Sequence, residues 1–228
     1  MPRRTLSLAD RKNSTEVLVV GLGRFGSTAA IELERLGHEV LAIDQSDEVV
    51  QAFASVVTHV VSADATDEQV LMSLGVGSIE HALVAIGDDV EASILCTSAL
   101  ADLGVDEIRA RATSKAHARI LERVGATHVV FPERDMAVRI AHRVAGRMID
   151  YIEIDEHFAL VETFAPKDTE GQTLQEAQLR ARFGITVVSI KPENGSFSYA
   201  TPDSVLAPGS LLLVAGDKNA VERFAQTA

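Results

Sequence analysis

The chemistry open to this chain is concentrated in one short stretch, Gly21-Leu22-Gly23-Arg24-Phe25-Gly26. Its glycines follow the spacing G-x-G-x-x-G. The first permits a tight turn, the second lets a pyrophosphate approach the backbone, and the third lets helix and strand pack closely. A β-branched run, Glu16-Val17-Leu18-Val19-Val20, precedes the loop and a helical pattern follows it. That context turns a weak pattern into a phosphate site, because amides at the helix N-terminus then point at the ligand with the helix dipole behind them.

Asp44 closes the next apolar run, about 20 residues past the first glycine, where an acid accepts hydrogen bonds from ribose hydroxyls and repels a 2′-phosphate. Arg24 lies inside the loop. Its guanidinium either grips terminal phosphates in bidentate fashion or is an exposed side chain without a role, and the sequence leaves the two readings level. Asp64, Gly87 and Arg111 each end an apolar run. They fall at the sheet edge where open α/β folds bind ligands.

Nothing in the sequence reads as reaction machinery. His38, His59, His81, His117, His128, His142 and His157 are scattered, and several precede strands. No H-x-x-x-H pair, Cys/His ligand cluster, G-x-S-x-G elbow or P-loop lysine is present,. Cys96 is the one cysteine, set among apolar and hydroxyl neighbours, so it reads as packing in a reducing cytosol rather than as a nucleophile,.

The elements that must position these residues alternate along the chain. Strands are expected at 16–20, 39–43, 59–63, 81–86, 107–111 and 128–131, with helical patterns between them. Gly37 serves as a C-cap, and Ser46, Thr66 and Ser114 as helix starts. Six strands with helical crossovers make right-handed βαβ units, and hence a Rossmann-like, doubly wound parallel sheet. Beyond it, Met136, Ile140, Val144 and Met148 form a helical stripe. That helix either packs on a partner subunit or merely connects two domains. Alternating runs at 151–154 and 159–164, a hairpin signal at Asn194-Gly195, and the run 211–214 then predict a small α+β module with a last helix from Lys218. The expected division is a tail at 1–15, a nucleotide-binding domain at 16–134, a connecting helix at 135–150 and a regulatory domain at 151–228.

Composition agrees. At 228 residues the chain exceeds the usual single domain,. Apolar residues are 46% and aromatics only 4%, which suits strands buried on both faces,. The formal charge is −12, from 21 basic and 33 acidic side chains, and this argues against nucleic acid as a partner,. No apolar run approaches the roughly 18 residues of a membrane span. The opening segment carries Arg3 and Arg4 but no apolar core, so it reads as a tail and not a secretory signal,.

Val19-Val20-Gly21-Leu22-Gly23-Arg24-Phe25-Gly26, Gly37-His38-Glu39-Val40-Leu41-Ala42-Ile43-Asp44, Leu83-Val84-Ala85-Ile86-Gly87 and Phe131-Pro132-Glu133-Arg134-Asp135-Met136 resemble the regulators of potassium conductance, the RCK/KTN domains. Within them the chain is most similar to the cytosolic regulatory subunits of Ktr/Trk-type bacterial potassium uptake systems, and the resemblance runs through the C-terminal module. It implies a non-enzymatic protein, cytoplasmic and peripheral to the inner face of the membrane. Homodimers would assemble into a homo-octameric ring under a membrane-embedded potassium-translocating subunit. ATP and ADP would bind the first domain, with NAD(H) competing in some members.

Carried over residue by residue, the resemblance implies a nucleotide site of Gly21, Gly23, Arg24, Phe25, Gly26, Asp44, Ser46, Asp64, Ala65, Ile86, Gly87 and Arg111. Arg24 would reach the distal phosphates, Asp44 the ribose, Asp64 the adenine and Arg111 the phosphates. Glu133, paired across the dimer, would hold Mg²⁺ or Ca²⁺. Leu174, Arg180 and Pro202 match a cyclic di-AMP pocket of some relatives, although Gln175 stands where those carry an apolar residue, and Asp64 where they often carry Asn. The rival reading is an NAD(H)-dependent oxidoreductase, but the second module is small for a substrate domain and offers no obvious hydride-transfer acid or base. A DNA-binding redox sensor is disfavoured by the charge.

Overall fold

A computed structural model describes residues 15–145 and 148–227. The segment before Thr15, expected to be a tail, lies outside the described residues. The chain forms two compact units that part between Pro132 and Glu133.

The first unit is a six-stranded parallel sheet of β1 (Glu16–Val20), β2 (Glu39–Asp44), β3 (His59–Ser62), β4 (His81–Val84), β5 (Glu107–Arg111) and β6 (His128–Val130), in the order β3-β2-β1-β4-β5-β6. The order reverses between β1 and β4, and ligands of open α/β sheets bind at such a point. Leu18, Val19, Val20, Ile43 and Ile108 are buried in the sheet, as near-continuous apolar strands require when both faces are covered.

On one face α3 (Glu68–Ser73), α4 (Val90–Asp102) and α5 (Lys115–Arg123) contribute Leu71, Leu100 and Leu121 to the core. On the other, α1 (Arg24–Leu36) and α2 (Asp47–Phe53) contribute Ala30, Val49 and Phe53. Gly37 ends α1 in the left-handed region at φ 96°, and its N–H bonds the Glu34 carbonyl. The Ser46 hydroxyl caps α2 by accepting from Val49 N.

Three helix boundaries differ from the sequence expectation. The cap of α3 is Asp67, which accepts from Gln69 N and Val70 N, because Thr66 is already engaged by Asp64. Helix α6 (Pro132–Val144) begins on the proline expected only to break β6. Proline suits the first helical position, where no N–H is needed. The helix ends at Val144, so Met148 is not the fourth member of its stripe. It is buried instead in the core of the second unit.

That unit contains an antiparallel sheet of β7 (Asp150–Glu153), β8 (Phe158–Phe164), β9 (Ile185–Lys191), β10 (Ser198–Tyr199) and β11 (Leu211–Asp217), ordered β10-β9-β11-β8-β7. Val161, Ile185, Leu212 and Val214 face a core closed by Leu179 of α8 (Leu179–Phe183) and Phe224 of α9 (Lys218–Ala225). Arg139 of α6 pairs with Asp150 of β7. Between β8 and β9, α7 (Leu174–Ala177) opens with a capping box in which Thr173 and Glu176 satisfy each other's backbone amides,. Among the described residues no helix is long and apolar enough to cross a membrane.

Candidate functional site

The loop between β1 and α1 is bonded to β2 where it starts, and the end of β1 is bonded to the residue after β4. Gly21 N donates to the Ile43 carbonyl at 2.8 Å, and Ala85 N donates to the Val20 carbonyl at 2.7 Å. Gly21 stands at φ 88°, a left-handed conformation that favours glycine,. Gly26 has a different reason. A Cβ there would lie 1.9 Å from the Gly21 carbonyl oxygen and 2.8 Å from the Ala85 Cβ, so helix α1 seats against the loop only without a side chain. Gly23 has a third. A Cβ would meet nothing within 4 Å, so its backbone faces open space at the N-terminus of α1. A bare turn does not need that opening. A ligand approaching the amides does.

Asp44 ends β2 and its carboxylate is shared by two backbone amides. Leu22 N donates to one oxygen at 2.7 Å and Ser46 N to the other at 2.9 Å. It therefore pins the glycine loop as well as presenting acceptors at the sheet edge. Each carboxylate oxygen has a second lone pair for an external donor. Leu22, invisible to side-chain reasoning, thus fixes the Asp44 carboxylate through its amide.

Asp64, after β3, accepts from Thr66 N at 2.9 Å, Thr66 Oγ1 at 2.7 Å and Gln45 Nε2 at 3.2 Å. The backbone bond from Thr66, then its hydroxyl, holds the carboxyl below the ordinary carboxylate range, so it is charged at neutral pH,. Ala65 beside it is buried. Ile86 and Gly87 follow β4, and the Arg111 guanidinium at the end of β5 lies against Gly87. Phe25 is half-buried, and Arg24 is exposed.

Glu133 is exposed on the first turn of α6, in the second unit. There too, Leu174 and Pro202 come together: Gln175 N donates to the Pro202 carbonyl at 3.0 Å, and Leu174 N to the Ser204 carbonyl at 2.9 Å. Arg180 is exposed on α8. Cys96 is fully buried, and burial pushes its thiol up to about 12, with the charge of Asp64 adding to the shift. A thiol so raised is not a nucleophile.

Fold and loop together define a class: a Rossmann-like parallel α/β domain, with a glycine-rich turn at its switch point, joined to a small antiparallel α+β module. The TrkA-N domain family matches residues 17–132 and the TrkA-C domain family residues 164–227. The Ktr system potassium uptake protein C of Bacillus subtilis is 40% identical over 210 residues, covering 92% of this chain and 95% of its own. Ktr system potassium uptake protein A of the same organism is 35% identical over 215 residues, covering 94% and 97%. The chain belongs to this family of Ktr potassium uptake proteins. Among solved structures the GsuK RCK domain superposes with a TM-score of 0.63 at 21% identity, covering 94% of this chain. This chain spans about half the length of that one, 48%, and the likeness is one of fold.

Proposed function

We propose that the protein is a cytoplasmic, nucleotide-sensing subunit that gates a membrane-embedded potassium-translocating partner, and that it is not an enzyme. The observation carrying this reading is the open backbone at Gly23, set at the N-terminus of α1 with Asp44 fixed beside it. Phosphates fit the amides, and a ribose fits the carboxylate. Family membership supplies the potassium system.

ATP and ADP are the proposed ligands, with Arg24 on the distal phosphates, Arg111 on the inner ones and Asp64 on the base. NAD(H) shares the loop and Asp44, so it competes for the same site. Glu133 would hold Mg²⁺ or Ca²⁺ in a homodimer, and the dimers would build an octameric ring. The place for cyclic di-AMP is where Leu174, Arg180 and Pro202 stand.

Switching requires ATP and ADP to bind two conformations with different affinity, since equal binding shifts nothing. The test is a thermal-shift screen of ATP, ADP, NADH, NAD and cyclic di-AMP, with and without Mg²⁺ or Ca²⁺. A ligand bound only by the folded state raises its melting temperature by mass action. ATP and ADP should give the largest shifts. No shift with any adenine nucleotide overturns the reading, and turnover of NADH with a small metabolite would restore the oxidoreductase.

A further inference from the structure

Gly87 carries a feature that neither the loop pattern nor the strand-end position explains. Its φ lies outside the left-handed region, so the backbone there would accept any residue. What it lacks is room. A Cβ at this position would lie 2.1 Å from one terminal nitrogen of Arg111, 2.4 Å from its Cζ and 2.7 Å from the other terminal nitrogen. The guanidinium of a β5 residue thus fills the space that a side chain at the position after β4 would need, and only hydrogen leaves room for it. The neighbouring strands are held in register, with Val84 opposite Ala110, so the seat cannot be widened by sliding one strand past the other.

We infer that Gly87 is a positioning residue: it is the seat of Arg111, and it keeps that guanidinium at the carboxyl edge of the sheet for an anionic group of the ligand. A planar, always-charged fork gains most when its orientation is fixed before the phosphate arrives, because little rotamer freedom is then lost on binding. The alanine methyl displaces the guanidinium, which is the mobile partner, and leaves the backbone where it is. The inference rests on the reading of Arg111 as a phosphate contact, and its test separates the two.

The first measurement needs no ligand. In full-length protein labelled with ¹⁵N-arginine, the Nε–Hε resonance of Arg111 is identified by its loss in Arg111→Ala. In Gly87→Ala that resonance should shift while the other arginine resonances hold. An unmoved resonance overturns the seat, whatever the protein binds.

The second measurement is calorimetry with ADP and with adenosine as probes. Arg111→Ala should weaken ADP roughly tenfold or more, the size of a lost hydrogen bond to a charged group, and leave adenosine within twofold. Gly87→Ala should match it, and the double variant should be no weaker than Arg111→Ala alone. Equal losses for ADP and adenosine, a wild-type ADP affinity in Gly87→Ala, or an added loss in the double variant would each overturn the positioning role. Wild-type protein that fails to bind ADP would sink the nucleotide reading instead, and the arginine resonance would still decide the seat.

Discussion

A methyl group at position 26 would sit 1.9 Å from a carbonyl oxygen, whereas one at position 23 would touch nothing within 4 Å. Two glycines of one loop therefore answer opposite questions. Gly26→Ala drives a Cβ into backbone and should cost about 3 kcal/mol or more, as overpacking at an unyielding contact does. It should appear as a large fall in melting temperature. Gly23→Ala fits the protein, since its φ of −61° suits any residue. It should leave the melting temperature within about 1 °C of wild type while weakening ADP roughly tenfold, because its methyl takes the space a pyrophosphate needs. Calorimetry showing unchanged ADP affinity in that variant would reduce the loop to a turn. Arg24 poses a narrower question. It is exposed on the first turn of α1, and Arg24→Ala should weaken ATP by roughly tenfold more than ADP, because only ATP has a γ-phosphate. Equal losses for both would remove it from the distal phosphates.

Helix α5 shows what an element adds to its residues. His117 is buried on it, and its Nδ1 lies 3.4 Å from Thr113 N. Burial pushes its pKa down from the ordinary value near 6.5,. The unfolded chain therefore takes up a proton first as pH falls. Stability is full above about pH 6.5 and is lost below it, down to the depressed folded value. The melting temperature should drop between pH 7 and pH 5, and His117→Gln should flatten that slope; an equal slope in the variant would place the acid sensitivity elsewhere. Sequence alone could not single this histidine out from the others, because burial depends on which helix face meets the sheet. What it did make legible is the strand order, since β-branched runs separated by helical spacing admit few topologies. The caps at Gly37 and Ser46 were legible for the same local reason. The choice of Asp67 over Thr66 was not: both can cap, and the decision lies with Asp64, which claims Thr66 first. The candidate site divides in the same way. Glycine spacing and Asp44 are local signals. The Leu22–Asp44 bond and the Gly87–Arg111 contact join separate strands and exist only once the sheet has formed.

At the scale of the whole molecule, the outstanding feature is a helix face without cover. Met136, Ile140 and Val144 recur every fourth residue on α6 and are 51%, 44% and 81% exposed. Scattered apolar side chains on a surface need no explanation, whereas a stripe at helical spacing on one element is a face that a partner subunit would cover. In the octameric ring proposed above, such a face would be the place for a second copy. Contacts of that kind are one way a shape change in one chain is passed to its neighbours. Native mass spectrometry should find an assembly eight times the 24.4 kDa chain. The double variant Met136→Asp, Ile140→Asp puts charge into that face without touching a buried residue, so the chain should still fold. Its assembly should fall to a smaller species, because a buried, unpaired carboxylate is costly at an apolar interface. ADP binding through the Gly23 loop, in the other unit, should persist in the smaller species, possessing as it does its own sheet and core. An unchanged mass in the double variant would show that the ring is not built on α6, whereas loss of ADP affinity along with the mass would show that the nucleotide site is completed by a neighbouring copy.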